Sequence, residues 1–535
     1  MWYILPQRNK KANHMSKFVT YISKEVNKIR RAFQLKWHFL FCILTTLIAG
    51  QTIVHLIINA FAPIQLDYSE GLLLGGVEQI LRDPNPVALY NFKPDFYAAT
   101  VLAYPPLFPY LSALLARLMT LVPGVSGWLV PLYAMRLLSF AGLCLTAYFI
   151  YKLSRLYNPD RLVSLTAASL FLGTHPVIFW GGIGRVDALG ISLILAGIYA
   201  TLKSLKAQEN PGLKLLLLKP LPLFWLAFFT KQSLVAAPLA LALYLFLAGR
   251  RRQAFIFGGV YALAVGLGVL ALSLLTEGRY LFFIAMERYT PFALDQMLGN
   301  WILFLLLQAP IIAVVVWLSQ PIVRHQNALR LPLLWGGLAA TTALTVGKTG
   351  AADYYFFEAI AALCVLAGCL IIPTSAFKTG QWLWRIATGL QMIVLLVSII
   401  PVVYQPNNYD YLREPFQQAV SYVKQYGSAN EKLFIELTGP TFAAGRSELV
   451  FDHFIFRQLA RVGQRNGQLL VEDVKQHTFK MMLFGFDVLH EERSGAYRWP
   501  EGFEQTVRQH YRLIDTLRGS EGQDYAWILI PKEGE

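Results

Sequence analysis

Two carboxylates, Asp67 and Glu70, stand three residues apart in the short segment DYSEG. The apolar stretch 37–60 precedes them and is long enough to cross a bilayer as a helix. The two acids therefore fall at the membrane–water boundary, where a lipid-borne substrate and water can both reach them. A partly desolvated carboxylate near a target proton can act as a general base. The structural alternative is that Ser69 caps a following helix and Glu70 occupies its first turn.

Three cations interrupt apolar sequence on the side of the membrane that carries these acids. Arg185 lies in GRVD beside Asp187, Lys231 in FWLAFFTKQSLVAAPLA, and Lys348 in GKTGAAD. An arginine guanidinium can pair with two phosphate oxygens at once, and a lysine in apolar surroundings needs an anionic partner. We therefore expect these residues to bind a phosphate or diphosphate. The alternatives are an internal Arg185–Asp187 pair and a Lys231 side chain that only snorkels to the interface.

Three tyrosines accompany the charged residues. Tyr68 lies inside DYSEG, Tyr104 begins the rigid turn YPPLFP, and Tyr354 follows the GKTG turn. Aromatic rings can stack on a sugar or line a lipid groove, whereas belts of aromatic residues also anchor membrane proteins at the interface. The glycines around Lys348 lack the GxxxxGK order of a P-loop, so the segment does not indicate ATP binding.

The composition is that of an integral membrane protein. The 535 residues are 55% apolar and 15% charged, whereas soluble domains carry about 25% charged residues. Hydropathy predicts about eleven membrane-spanning helices: 37–60, 128–151, 162–180, 187–203, 214–230, 232–249, 254–275, 298–318, 331–346, 354–372 and 383–404. In the loop 61–127 the stretches 71–81 and 107–121 have helical apolar patterns, and we expect them to lie in the membrane interface.

Charge predicts the orientation. The tail 1–36 carries nine Lys or Arg and one acid, and simple Lys/Arg clusters recur in every second loop. This bias places the N-terminus in the cytoplasm and the DYSEG segment outside. Because the excess positive charge lies in the tail and the short loops, it does not indicate nucleic-acid binding. We therefore expect an integral protein of a plasma membrane.

The sequence predicts three regions: the basic cytoplasmic tail 1–36, the transmembrane catalytic domain 37–404, and a small outer α/β domain 405–535. In the third region 411–426, 453–475 and 500–511 have helical patterns, and 432–437, 512–518 and 524–530 read as strands. All four cysteines lie in apolar runs, and the histidines of the α/β domain have no metal-ligand spacing. We expect no cofactor, and the sequence leaves open whether the protein depends on a divalent metal ion.

The ordered set of motifs DYSEGLLL, YPPLFP, GRVDALG, TKQS and GKTGAADYYFFE resembles the GT-C glycosyltransferases. The likeness is to the family 39-like branch, which contains protein O-mannosyltransferases and the aminoarabinose transferase of lipid A. It implies a polytopic GT-C-like fold and an inverting transfer on the outer face of a bacterial inner membrane. It also implies a polyprenyl-phosphate sugar donor and a lipid, polysaccharide or protein acceptor.

The resemblance implies an acidic base as well. Glu70 matches the Glu of the family's Asp-Glu pair, but Ser69 stands where the family has Asp. The base is therefore Asp67 or Glu70, and we favour Asp67. Arg185, Lys231 and Lys348 would neutralise the departing phosphate.

Two other functions fit a polytopic membrane protein. A transporter or flippase of lipid-linked saccharides would show internal repeats and matching broken helices in two halves, and the sequence shows no such symmetry. A glycan polymerase or ligase would share the lipid-linked donor, but its functional loop usually lies late in the chain. A glycosyltransferase is the favoured prediction.

Overall fold

The structure is a computed structural model. It describes residues 37, 39–90, 102, 104–121, 127–207, 213, 218–286, 290–325, 329–370, 381–404, 409–428, 431–446, 452–461, 463, 466–490 and 499–532. The predicted basic tail 1–36 lies outside the described residues.

The part of the chain up to Tyr404 is helical. In chain order its helices are α1 (Phe39–Ala60), α2 (Tyr68–Arg82), α3 (Pro86–Leu89), α4 (Leu107–Met119), α5 (Leu129–Tyr157), α6 (Arg161–Leu172), α7 (His175–Trp180), α8 (Val186–Ala207), α9 (Pro220–Thr230), α10 (Ala236–Leu247), α11 (Arg251–Leu275), α12 (Arg279–Met286), α13 (Leu294–His325), α14 (Arg330–Thr342), α15 (Phe357–Leu370) and α16 (Gln381–Tyr404). Short 3₁₀ helices, Ala343–Gly347 and Asp353–Phe356, flank the GKTG turn.

Each of the eleven predicted spans coincides with a helix or a pair of helices. Within the described residues, seven helices are long and apolar enough to cross a membrane, and α6, α9 and α10 are shorter apolar helices. The predicted span 162–180 divides into α6 and α7, because α7 restarts after Thr174 with Pro176 in its first turn. The chain is thus a polytopic α-helical membrane protein.

Helices α5 and α8 pack closely near the site. A Cβ at Gly142 of α5 would lie 2.6 Å from the backbone nitrogen of Leu189 in α8. Small residues at such crossings let two helix backbones approach each other. This contact places the beginning of α8, with Arg185 just before it, against the middle of α5.

The loop 61–127 contains the two helices that its apolar pattern predicts, α2 and α4. Helix α2 begins where Asp67 takes an extended backbone conformation and its side chain accepts a hydrogen bond from the Ser69 amide. Asp67, and not Ser69, is therefore the N-cap. The apolar side of α2 packs against α4 through residues such as Leu74, Val77 and Phe108, which are all fully buried.

The C-terminal part is an α/β unit. Among the described residues its helices are α17 (Asp410–Tyr426), α18 (Thr438–Ala443), α19 (His453–Arg461), α20 (Gly467–Lys475) and α21 (Phe503–His510). The strands are β1 (Lys432–Ile435), β2 (Phe479–Phe484), β3 (Tyr511–Arg518) and β4 (Asp524–Pro531), and they form a sheet of order β1-β2-β4-β3. Strands β1 and β2 are parallel, and β4 runs antiparallel to both β2 and β3.

Two local predictions for this unit are wrong. The single helix expected over 453–475 is two helices, because Gly463 takes a positive φ of 72° and Asn466 caps a new helix through its side chain. Strand β2, with the sequence FKMMLF, was not predicted. Its methionines lack the β-branched pattern on which strand prediction depends.

Candidate active site

Asp67 presents a partly exposed carboxylate at the start of α2. Its Oδ2 accepts hydrogen bonds from the backbone amide of Ser69, at 2.8 Å, and from the Ser69 hydroxyl. Arg185 Nη1 lies 3.6 Å from the same oxygen and donates to Ser69 Oγ at 2.6 Å. The Asp67 side chain is 23% exposed.

Glu70 is fully buried and already satisfied. Its two oxygens accept hydrogen bonds from Nε and Nη2 of Arg136, both at 2.7 Å. The backbone amides of Gly184 and Leu66 donate to the same carboxylate at 2.8 and 3.0 Å. Each oxygen of the Glu70 carboxylate thus accepts one hydrogen bond from Arg136 and one from a backbone amide.

Arg136 ties this pair to the end of α1. Beyond Glu70 it donates to the carbonyl oxygens of Asn59, Ala62 and Ile64 at 3.0, 2.7 and 2.7 Å. All five N–H groups of the guanidinium are thus used. The pair fixes the chain between the end of α1 and the start of α2, the segment that leads into Asp67.

The predicted cations Arg185 and Lys231 meet at one acid. Arg185 Nε lies 3.2 Å from Asp187 Oδ2, and Lys231 Nζ lies 2.5 Å from Asp187 Oδ1. The internal Arg185–Asp187 pair considered from the sequence therefore exists. Together with the Asp67–Arg185 contact it forms a continuous chain of alternating charges, here called the ion chain: Asp67, Arg185, Asp187 and Lys231.

Aromatic rings form a wall against both cations. The Arg185 guanidinium lies 3.7 Å from the ring centroid of Tyr354 and 5.1 Å from that of Trp180. Lys231 Nζ lies 4.5 Å from the ring centroid of Tyr355. Trp180 is itself held by a 2.5 Å hydrogen bond from its indole nitrogen to Asp353. Cation–π contacts stabilise the positive charges of both side chains.

Lys348 lies on a pinned turn. The side-chain amide of Gln296, in α13, donates to the carbonyl oxygens of Val346, Lys348 and Ala351 at 2.9, 2.9 and 3.0 Å. Gly350 closes the turn with a positive φ of 84°. The backbone that carries the Lys348 ammonium is thus fixed by a neighbouring helix.

A cavity of about 690 Å³ lies between this turn, the start of α2 and the α/β unit. Of the predicted site residues, Tyr68, Tyr104, Lys348 and Tyr354 line it, as does Ser69. Asp187 and Lys231 line a separate small cavity of about 20 Å³, to which Tyr354 and Tyr355 also belong. Tyr354 and Tyr355 line both cavities, whereas Asp67, Glu70 and Arg185 line neither.

The α/β unit supplies a polar wall that the sequence did not predict. Glu436, Asp452 and His453 line the large cavity. The Tyr68 hydroxyl donates to Asp452 Oδ1 at 3.1 Å and lies 3.1 Å from His453 Nδ1, and His453 Nε2 lies 3.5 Å from Glu436 Oε1. Burial raises the pKa of Asp452 to about 6.

Two sets of residues at the site were not predicted from the sequence. Arg136 had a usable signal, because a lone arginine inside an apolar membrane helix is expensive and usually functional. Glu436, Asp452 and His453 had none, since nothing in the sequence places them near residue 68. Within the described residues, no group of three or more His, Cys, Asp or Glu side chains is arranged to hold a metal ion.

The chain has the polytopic helical domain and the following α/β unit of a GT-C fold. The ArnT protein of Cupriavidus metallidurans has this fold: its structure with undecaprenyl phosphate superposes with a TM-score of 0.58 at 12% identity, over 92% of this chain and 98% of that one. The apo form gives a TM-score of 0.54. The apo Archaeoglobus fulgidus oligosaccharyltransferase gives 0.53 at 12% identity, over 89% of this chain and 73% of that one.

The predicted GT-C resemblance is thus confirmed at the level of the fold. No protein-family model matches the chain, and no curated protein is significantly similar to it in sequence.

Proposed function

We propose that the protein transfers a sugar from a polyprenyl-phosphate donor to an acceptor hydroxyl at the outer surface of the membrane. The observation that carries the proposal is the ion chain, which places a partly exposed carboxylate, Asp67, beside the aromatic-backed cation Arg185. A carboxylate base and a phosphate-binding cation are the two groups that such a transfer requires. The similar structure that holds undecaprenyl phosphate supports the same donor class.

Asp67 takes the proton of the acceptor hydroxyl as that oxygen attacks the anomeric carbon of the donor. The bond from this carbon to the phosphate oxygen breaks, and its electron pair stays on the lipid phosphate. Arg185, Lys231 and Lys348 stabilise the charge that develops there. Attack opposite to the leaving group inverts the anomeric configuration.

Glu70 has a different role in this proposal. Because its oxygens bind Arg136 and two backbone amides, it shapes the loop and does not accept the substrate proton. Tyr104 and Tyr354 line the cavity in which the sugar and the acceptor would meet. The acceptor is a lipid, a polysaccharide or a protein.

The test uses the full chain in proteoliposomes with radiolabelled polyprenyl-phosphate sugars and extracted envelope acceptors. The proposal predicts loss of label from the donor, gain in an acceptor, and a product of inverted anomeric configuration by NMR. Movement of intact labelled donor between leaflets without transfer would instead show a transporter. A product of retained configuration would contradict the single-displacement mechanism.

A further inference from the structure

The start of α2 is tied to the α/β unit by two separate hydrogen-bonded links. In the first, the Tyr68 hydroxyl donates to Asp452 Oδ1 at 3.1 Å and lies 3.1 Å from His453 Nδ1. The Tyr68 and His453 rings also pack together, with centroids 4.6 Å apart. Asp452 is oriented in turn by the Ile455 amide, which donates to it at 2.9 Å.

The second link reaches the backbone of Asp67 itself. The Gln65 side-chain amide donates to the Asp67 carbonyl oxygen at 2.7 Å, and the Thr438 hydroxyl donates to Gln65 Oε1 at 2.8 Å. Thr438 begins α18. The approach is close: a Cβ at Gly71 would lie 1.9 Å from the Thr438 hydroxyl oxygen. Glycine is therefore required where α2 meets the α/β unit.

Both links act on the backbone immediately after the Asp67 Cα atom. Gln65 fixes the carbonyl group of Asp67, and Tyr68 is the next residue along the chain. The Asp67 carboxylate beside them is 23% exposed, and its proposed role requires correct placement relative to the acceptor. An error of about 1 Å in such a group can lower a rate about 100-fold.

We propose that the α/β unit is part of the catalytic apparatus and that Tyr68, held by Asp452 and His453, is a positioning residue for Asp67. The expected effect on kcat rests on the proposed function, whereas the expected effect on the stability of the link does not. Tyr68 lines the cavity as well, but its hydroxyl is directed at the α/β unit.

The network also makes the link sensitive to pH. Asp452 is contacted by the Tyr68 hydroxyl from α2 and the Ile455 amide from α19, and the charged or titratable side chains of Glu436, His453 and Lys348 line the same cavity. A hydrogen bond to a carboxylate is stronger than one to a neutral carboxyl group. Since burial raises the pKa of Asp452 to about 6, the link should weaken as pH falls through that value.

The variant Tyr68→Phe removes the hydroxyl and keeps the ring. Tyr422→Phe is the matched control, because the Tyr422 hydroxyl also donates to an aspartate of the α/β unit, Asp515, at 2.8 Å, but lies in α17 and does not line the cavity. Thr438→Val tests the second link. The full chain in proteoliposomes is assayed for transfer, and in detergent for amide hydrogen exchange of peptides that span residues 66–71.

We expect Tyr68→Phe to lower kcat about tenfold with little change in donor KM. The ratio of wild-type to Tyr68→Phe kcat should shrink as pH falls through 6, and peptides over 66–71 should exchange faster in Tyr68→Phe and Thr438→Val but not in Tyr422→Phe. The inference would be overturned if Tyr68→Phe had the same kcat, the same pH profile and the same rate of amide exchange as the wild-type protein. If the wild-type protein transferred no sugar, the proposed function would be overturned. The amide exchange experiment would still show whether Tyr68 and Thr438 hold the segment 66–71.

Discussion

Glu70 and Arg136 form a fully buried bidentate ion pair, with both nitrogen–oxygen distances at 2.7 Å. The pair joins α2 to α5, and its arginine also donates to the carbonyl groups of Asn59, near the end of α1, and Ala62, just beyond it. Removal of one partner from a buried pair leaves an uncompensated charge, which typically costs about 3–5 kcal/mol. The acid that matches the family's Glu is thus placed as a structural residue in our account.

The first prediction concerns this pair. Glu70→Gln should unfold at a lower temperature in detergent, because it leaves the Arg136 charge buried without a counterion. The matched control is Glu78→Gln, since Glu78 lies on the same helix in an exposed pair with Arg82 at 3.3 Å and should change the midpoint little. Equal midpoints for the two variants would contradict the structural role of Glu70.

A second prediction tests the close approach at Gly184. A Cβ there would lie 2.9 Å from Met135 Cβ and 3.3 Å from Glu70 Oε1. Gly184→Ala should therefore destabilise the protein by about 1–3 kcal/mol. Gly259→Ala is the control, because no atom lies within 4 Å of a Cβ at that position in α11. Thermal unfolding in detergent measures both, and an unchanged midpoint for Gly184→Ala would refute the packing described.

The third prediction concerns the ring behind Arg185. Tyr354→Leu removes a ring whose centroid lies 3.7 Å from the guanidinium, and the donor KM should rise about tenfold as Arg185 loses its orientation. Tyr354→Phe keeps the ring and should retain a wild-type KM. Tyr148→Leu is the control, because Tyr148 contacts Lys152 at 5.9 Å, remote from the site. Steady-state kinetics decide, and equal KM values for Tyr354→Leu and wild type would contradict the role of the ring.

A fourth prediction follows from the buried Asp452. Its pKa rises from 3.8 to about 6 on folding, so the folded protein holds this proton more tightly than the unfolded chain. Stability falls as pH rises from about 4 to about 6, by at most about 3 kcal/mol from this group. Asp452→Asn removes the effect. The difference between the unfolding midpoints of Asp452→Asn and wild type should therefore be more positive at pH 7.5 than at pH 4.5. The same difference at both pH values would contradict the raised pKa of Asp452.

Hydropathy and charge were enough to predict the membrane-spanning helices, the outer-loop helices and the α/β character of the C-terminal part. The sequence offered Ser69 as the N-cap of this helix and Glu70 in its first turn, whereas in the structure Asp67 is the N-cap and Glu70 lies in the first turn. Gly463 and Asn466 are local signals for the break between α19 and α20. The continuous apolar periodicity over 453–475 nevertheless led to the prediction of a single helix.

The contacts that distinguish the two acids could not be predicted. Glu70 and Arg136 are 66 positions apart, and Tyr68 and Asp452 are 384 apart. Such pairs depend on how helices and domains pack, and a single sequence does not encode that packing in any local pattern. The same limit explains why the sequence favoured Asp67 as the base but could not show that Asp67 is partly exposed and Glu70 is buried among four hydrogen-bond donors.

The most direct test of the account is sugar transfer by Asp67→Asn. Asparagine is as good an N-cap as aspartate, so α2 should still begin at residue 67 while the base is lost. Asp83→Asn, at the other end of α2, is the matched control. With radiolabelled polyprenyl-phosphate sugars in proteoliposomes, we expect Asp67→Asn to lower kcat about 100- to 10,000-fold and Asp83→Asn to transfer at the wild-type rate. Wild-type transfer by folded Asp67→Asn would contradict the assignment of Asp67 as the base.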